Sequence, residues 1–304
     1  MGAIGKRGGG RLLAVSLLLL GAPTRCSAVD GLTLQEFSFA NDPVLRGAEL
    51  RRGPERWILQ FEARFANGCL ADAGINVAYA DLADPRARSG GTRAVWVRQR
   101  VNPEGCPDIF QPVVRRYAAE LAPWKGAHNF VVLNYAPEDA ARDAEELQLF
   151  RVDLEGREES GTPDRERLRV DAVPLHAGDG YPVISRLEVE GARATLGYRY
   201  TVRFTALFAT SCRAERGATA ALIESRLGVS ERTGGPVLDW LLVVNPIASD
   251  CPASDGPPVS RAFEFAREVR ADHDRRLVLL NPVTRDIGGR GDLFLQRPVY
   301  PGTP

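Results

Sequence analysis

Trp57-Ile58-Leu59-Gln60-Phe61-Glu62-Ala63-Arg64-Phe65-Ala66-Asn67-Gly68-Cys69 returns later in the chain as Tyr200-Thr201-Val202-Arg203-Phe204-Thr205-Ala206-Leu207-Phe208-Ala209-Thr210-Ser211-Cys212. The two stretches lie 143 residues apart (200 − 57), align without a gap and both end on a cysteine. In the first, Trp57, Leu59, Phe61, Ala63 and Phe65 fall on one side of an extended chain. Gln60, Glu62 and Arg64 fall on the other, with Ile58 the exception. In the second, Tyr198, Tyr200, Val202, Phe204, Ala206 and Phe208 face one way and Arg199, Thr201, Arg203 and Thr205 the other. A period of two held this long belongs to a β-strand with one wet face, not to a helix. A repeat of this period is a domain-sized unit rather than the short element of a solenoid.

The likeness continues outward. Ile75–Ala80 follows the first cysteine and Thr219–Glu224 the second. Val95–Val101 then runs into Asn102-Pro103 with Cys106-Pro107 beyond, and Val237–Val244 runs into Asn245-Pro246 with Cys251-Pro252 beyond. Proline cannot donate to a ladder, so each Asn-Pro marks where a strand leaves its sheet. Val113–Tyr117 resembles Val259–Phe263, Phe130–Asn134 resembles Leu277–Asn281, and Leu147–Val152 and Leu293–Gln296 close the copies. Short strands at Leu32–Phe39 and Ile184–Val189 open them. Roughly seven short strands per copy, separated by turn residues, read as a β-sandwich. The one helix expected is Pro137–Glu146, with proline and acids at its start.

The expected fold is therefore all-β: two tandem antiparallel β-sandwiches, immunoglobulin-like in a loose architectural sense, related by internal duplication and carrying one disulfide each. Residues 29–154 form the first domain, 155–180 a linker rich in charge, glycine and proline, and 181–304 the second. Leu168-Arg169-Val170 is the one strand candidate within the linker.

Residues 1–28 read as a signal peptide. Lys6, Arg7 and Arg11 precede an apolar run from Leu12 to Leu20, and Cys26-Ser27-Ala28 is a small-residue cleavage site. That run is too short to cross about 30 Å of hydrocarbon. No later stretch is apolar for long enough to span, so no membrane span is expected and the chain is placed outside the cytoplasm, periplasmic or secreted. Removing residues 1–28 takes away four basic residues and no acid, leaving 39 − 4 = 35 basic against 39 acidic. A net charge of −4 (35 − 39) gives no reason to expect nucleic acid as partner. Trp96-Val97-Arg98-Gln99-Arg100 is basic and aromatic, but alternating arginines on the wet face of a strand account for it.

Four cysteines remain after such a cleavage, in a compartment that permits disulfides. Cys69 matches Cys212 and Cys106 matches Cys251, so the repeat selects Cys69–Cys106 and Cys212–Cys251 among three pairings. The pattern departs from a true immunoglobulin domain, where the bridge pins the two sheets across the core. Here each second cysteine sits before a proline in a loop. A bridge that clips a strand end to a crossover loop follows.

The search for chemistry finds little. No catalytic, phosphate-binding or calcium-loop motif occurs, no Cys-x-x-Cys, and no histidine beside a candidate serine. No catalytic residue, metal site or cofactor is assigned. Two binding candidates stand out: His273, between Asp272 and Asp274 in a turn, and the tripeptide Arg290-Gly291-Asp292 in a glycine-rich turn before the last strand. Turn chemistry alone explains both. The resulting expectation is a non-enzyme, binding or structural, presenting loops to a protein or glycan partner outside the cytoplasm. Two competing classes are an enzyme or enzyme-accessory subunit with its site between the copies, and a secreted enzyme inhibitor.

Overall fold

The structure is a computed structural model of the 304-residue chain, described over residues 26–29, 31–38, 42–82, 91–102, 104–107, 109–133, 150–154, 166–175, 180–195, 197–226, 237–247, 250–251, 257–270, 275–284, 286–287 and 294–299. It is almost wholly β. In chain order the first strands are β1 (Cys26–Val29), β2 (Leu32–Ser38), β3 (Val44–Arg52) and β4 (Trp57–Phe65). A six-residue helix α1 (Gly68–Ala73) precedes β5 (Ile75–Leu82), β6 (Gly91–Gln99), β7 (Val113–Leu121), β8 (Ala127–Val132), β9 (Phe150–Asp153) and β10 (Leu168–Pro174). Then come β11 (Val183–Ala194), β12 (Gly197–Phe208), helix α2 (Ser211–Arg216), β13 (Ala218–Arg226), β14 (Val237–Val244), β15 (Val259–Arg270), β16 (Arg275–Leu279) and β17 (Leu295–Pro298).

The strands stack in four layers with three apolar cores between them. In the first sandwich β3-β4-β7 packs on β5-β6-β8-β9, with Phe61, Val77, Val95, Tyr117 and Phe130 buried between. In the second, β11-β12-β15 packs on the six-stranded sheet β1-β2-β13-β14-β16-β17, around Tyr200, Phe204, Phe208, Leu241 and Phe263. The third core joins the two sandwiches through their inner sheets. Trp96 and Trp240 meet edge-to-face at its centre, ring centroids 5.5 Å apart.

Layering explains two kinds of strand. In β12 the residues facing β13 and β14 are buried, while those between them are partly exposed, so one face is wet. All eight residues of β14 are buried. Leu241 and Val243 point into the second sandwich, Trp240 and Leu242 into the junction, and a strand covered on both faces has no reason to alternate.

The inner sheets are mixed rather than antiparallel, while β3-β4-β7 and β11-β12-β15 are antiparallel throughout. β6 pairs with β8, and β14 with β16, in parallel. The strands between them in sequence, β7 and β15, lie in the facing sheets, so the chain returns to the inner sheet in its original direction. β10, in the segment read as linker, runs parallel to β7 over Leu168–Asp171 and then to β5 over Ala172–Pro174, tying the first sandwich's two sheets together. β2 was expected to open the first copy. That place beside β4 is taken by β3, and β2 lies parallel to β13 in the second sandwich.

The short helices were not anticipated by periodicity. Their signals are capping residues: Asn67 Oδ1 accepts from Leu70 N at 3.0 Å and Thr210 Oγ1 from Arg213 N at 3.3 Å. Gly74 and Gly217 end them at positive φ, 80° and 81°. The helix expected at Pro137–Glu146 lies outside the described residues, as does most of the leader. Residues 26–29, where the leader was read to end, form β1 against β2.

Candidate functional site

Both disulfides are present, Cys69–Cys106 and Cys212–Cys251, each with a Cα–Cα distance of 5.7 Å. The first clips α1 to the crossover between β6 and β7. Among its described residues that crossover has no helix or strand, yet its backbone is held at many points. Asn67 Nδ2 donates to the carbonyls of Pro107 (3.0 Å) and Ile109 (3.1 Å), and Gln111 N donates to Ala66 O (2.8 Å). Asn102 accepts from Gly105 N at its carbonyl (3.0 Å) and from Glu104 N at Oδ1 (3.1 Å). Gln99 Nε2 caps the end of α1, donating to Leu70 O (2.8 Å) and Gly74 O (2.9 Å).

On this fixed frame the apolar side chains point outward. Val101 is 67% exposed, Ile109 60% and Phe110 37%, with Val114 of β7 at 53%. Beside them an open depression of about 510 Å³ is lined by Cys69, Asp72, Ala73, Arg100, Val101 and Asn102. The second sandwich places Ile247, 65% exposed, just after its own Asn-Pro, with Arg216 ion-paired to Asp250 nearby.

Two charge centres lie inside the sandwiches. In the first, Arg93 is buried among aromatic rings, its guanidinium 5.0 Å from the centroid of Trp57, 4.6 Å from Tyr79 and 5.7 Å from Trp124. It donates to both carboxylate oxygens of Asp81 (2.6 and 2.7 Å) and to Ala122 O. In the second, Asp239 is fully buried. Tyr200 Oη donates to its Oδ2 at 2.7 Å, and Arg267 and Arg275 donate to Oδ1 at 2.7 and 2.8 Å. Both arginines also reach Glu224 Oε2 at 3.1 Å. Burial, and then the Asp239 charge, push the Tyr200 hydroxyl well above its usual range. Burial pulls the two guanidiniums down, but Asp239 and Glu224 outweigh it and both end up raised. These groups satisfy one another through hydrogen bonds and ion pairs, which is the chemistry of a structural network.

A third centre sits at the junction. Arg98 is 1% exposed; its Nη1 lies 3.0 Å from Asp42 Oδ2, and Nη2 donates to Glu224 O of the other sandwich at 3.0 Å. Burial raises the Asp42 carboxyl to about 6 despite Arg98, and lowers Arg98 to about 10 despite Asp42 and Glu224. The sequence pattern put Arg98 on a wet strand face. β6 has no wet face: the second sandwich covers it, and only Arg100, beyond the strand, is exposed. The signal available was the run Trp240–Val244 of β14, apolar at every position, which already implied a sheet covered on both sides.

His273 and Arg290-Gly291-Asp292 lie outside the described residues. Among the described residues no cluster of His, Cys, Asp and Glu could hold a metal ion, and no helix is long and apolar enough to cross a membrane. No family model, curated protein or solved structure matches the chain.

Proposed function

We propose that this chain is an exported, non-catalytic binding protein that presents the clipped crossover loop, residues 100–112, to a protein partner. The observation that carries the reading is the exposure of Val101, Ile109 and Phe110 on a backbone held by a disulfide and side-chain hydrogen bonds. Exposed apolar groups on a pre-ordered loop lose little conformational entropy on association. Aliphatic side chains with one phenyl ring suit a protein surface better than a glycan, which needs a denser set of polar donors. The leader-like N-terminus and two disulfides support export.

The two sandwiches are, in this reading, a duplicated and loosely immunoglobulin-like unit. The gapless sequence repeat and the matching strand orders β3-β4-β7 and β11-β12-β15 support it. The junction, filled by Trp96, Trp240 and their apolar neighbours, favours a structural contact there over an interface active site.

The test uses the full chain. Val101→Asp, Ile109→Asp and Phe110→Ser together should leave thermal unfolding unchanged and abolish capture of the partner that wild-type chain recovers from the exported fraction of its native source. Recovery of the same partner by the triple variant would overturn the reading.

A further inference from the structure

The least expected pairing in the molecule is that of β2. Its seven residues run parallel to β13, Leu32 against Ala218 through Ser38 against Glu224. Leu32 and Leu34, 2% and 6% exposed, belong to the second sandwich's core, and Glu36 lies 3.8 Å from Arg267. Yet β2 continues, through residues 39–41 alone, into the first sandwich. β10 is used in the same way: it runs parallel to β5, the first sandwich's counterpart of β13. Each sandwich thus accepts one extended parallel strand on the same edge.

The β13 edge is shaped for that arrival. Ala218 N donates to Gly31 O at 3.0 Å, where the incoming chain turns. At Gly217, at φ 81°, a Cβ would collide with the carbonyl oxygen of Gly31, so a side chain there is sterically forbidden while the strand is docked. At Gly74, its counterpart in the first sandwich, a Cβ would meet nothing nearer than Arg100 Cδ at 3.9 Å. Main-chain pairing plus alternate apolar anchors is how sheets bind added strands.

We infer that the β13 edge is a strand-acceptor site and that a second copy of this chain can fill it with its own residues 32–38. The sandwiches are joined covalently only by residues 39–41 and 176–182. When first sandwiches trade places between two copies, every contact of β2 with the second sandwich is remade in the partner copy. Closed monomer and exchanged dimer then differ in connector geometry and concentration, not in contacts.

A chain beginning at residue 39 and a synthetic peptide of residues 29–41 test the site. The truncated chain should bind the labelled peptide saturably in anisotropy titrations and melt higher when it does. Leu32→Asp with Leu34→Asp in the peptide should weaken uptake by about a hundredfold, and Gly217→Val in the truncated chain should abolish it. Full-length chain refolded at rising concentration should give a growing dimer fraction by light scattering, suppressed by excess peptide. A folded truncated chain that ignores the peptide overturns the acceptor site. Peptide uptake by a full-length chain that stays monomeric throughout overturns the second copy as occupant. If the truncated chain does not fold alone, refolding is done with peptide present: recovery of folded protein supports the inference and failure to recover overturns it.

Discussion

Arg93 and Asp239 hold matching places in the two sandwiches and carry opposite charge. Arg93 on β6 stands across the ladder from Asp81 on β5; Asp239 on β14 stands across from Glu224 on β13. Above them sit Trp57 and Tyr200, the first residues of the repeated stretch. In the first sandwich one arginine is enclosed by three rings and one carboxylate; in the second a carboxylate is enclosed by two arginines and a phenol. The two apolar cores are alike in shape, while the two polar corners are built from opposite charges. Compensation is local, so a residue moved alone from one sandwich to the other leaves a buried charge without its partner.

That contrast can be broken by substitution in the full chain, read by urea unfolding. Asp239→Ala should cost about 4 kcal/mol, because two buried guanidiniums and the Tyr200 hydroxyl lose their common acceptor. Arg93→Met should cost less, about 2 kcal/mol, because Asp81 is 28% exposed and can be hydrated when its partner goes. Equal costs would mean the two corners are not different in kind. The disulfides should behave alike instead: separations of 37 and 39 residues make removal of either cost about 4 kcal/mol, and a gap of more than about 1 kcal/mol would point to unequal strain or residual structure.

The junction has its own pH signature. Asp42 is raised from 3.8 to about 6, so the folded protein holds this proton more tightly than the unfolded chain does. Its contribution to stability is complete below 3.8 and lost as pH rises through about 6, a term of ~3 kcal/mol. Asp42→Asn should flatten the slope of urea midpoints between pH 4 and 7. A wild-type slope untouched by that change assigns the titration elsewhere. A glycine pair gives the last contrast. Gly74→Ala should cost about 1 kcal/mol for its positive φ, and Gly217→Ala about 1–2 kcal/mol more, because it also pushes off β2. Protease sensitivity of residues 32–38 should rise only in the second variant.

Much of this was legible in the chain because β4 and β12 are outer strands. In β12 one face meets water along most of the strand. In β4 only Glu62 and Arg64 do, and the Gln60 expected on the wet face is buried. The period survives as alternation, and the cysteines that follow locate the clips. The inner sheets are where pattern reading failed. β6 and β14 are covered twice, which erases alternation and turns Arg98 from a surface charge into a junction residue. The placement of β2 was illegible for another reason: alternation in Leu32–Ser38 says that a strand forms, not which of two similar edges it joins. The outward exposure of Val101, Ile109 and Phe110 depends on how Asn67 and Gln99 pin the loop, and no local spacing announces that.

Time enters through the same strand. Leu32 meets its partner Ala218 only after 186 further residues (218 − 32) have followed it. At ordinary synthesis rates that is an interval on the order of 10–40 s. The first sandwich can assemble around its own β10 in that time, while Leu32 and Leu34 wait with no sheet to enter. A strand made early is thus among the last to find its place, and a late-closing seam of this kind is where a holding chaperone would act and where crowded refolding would go astray.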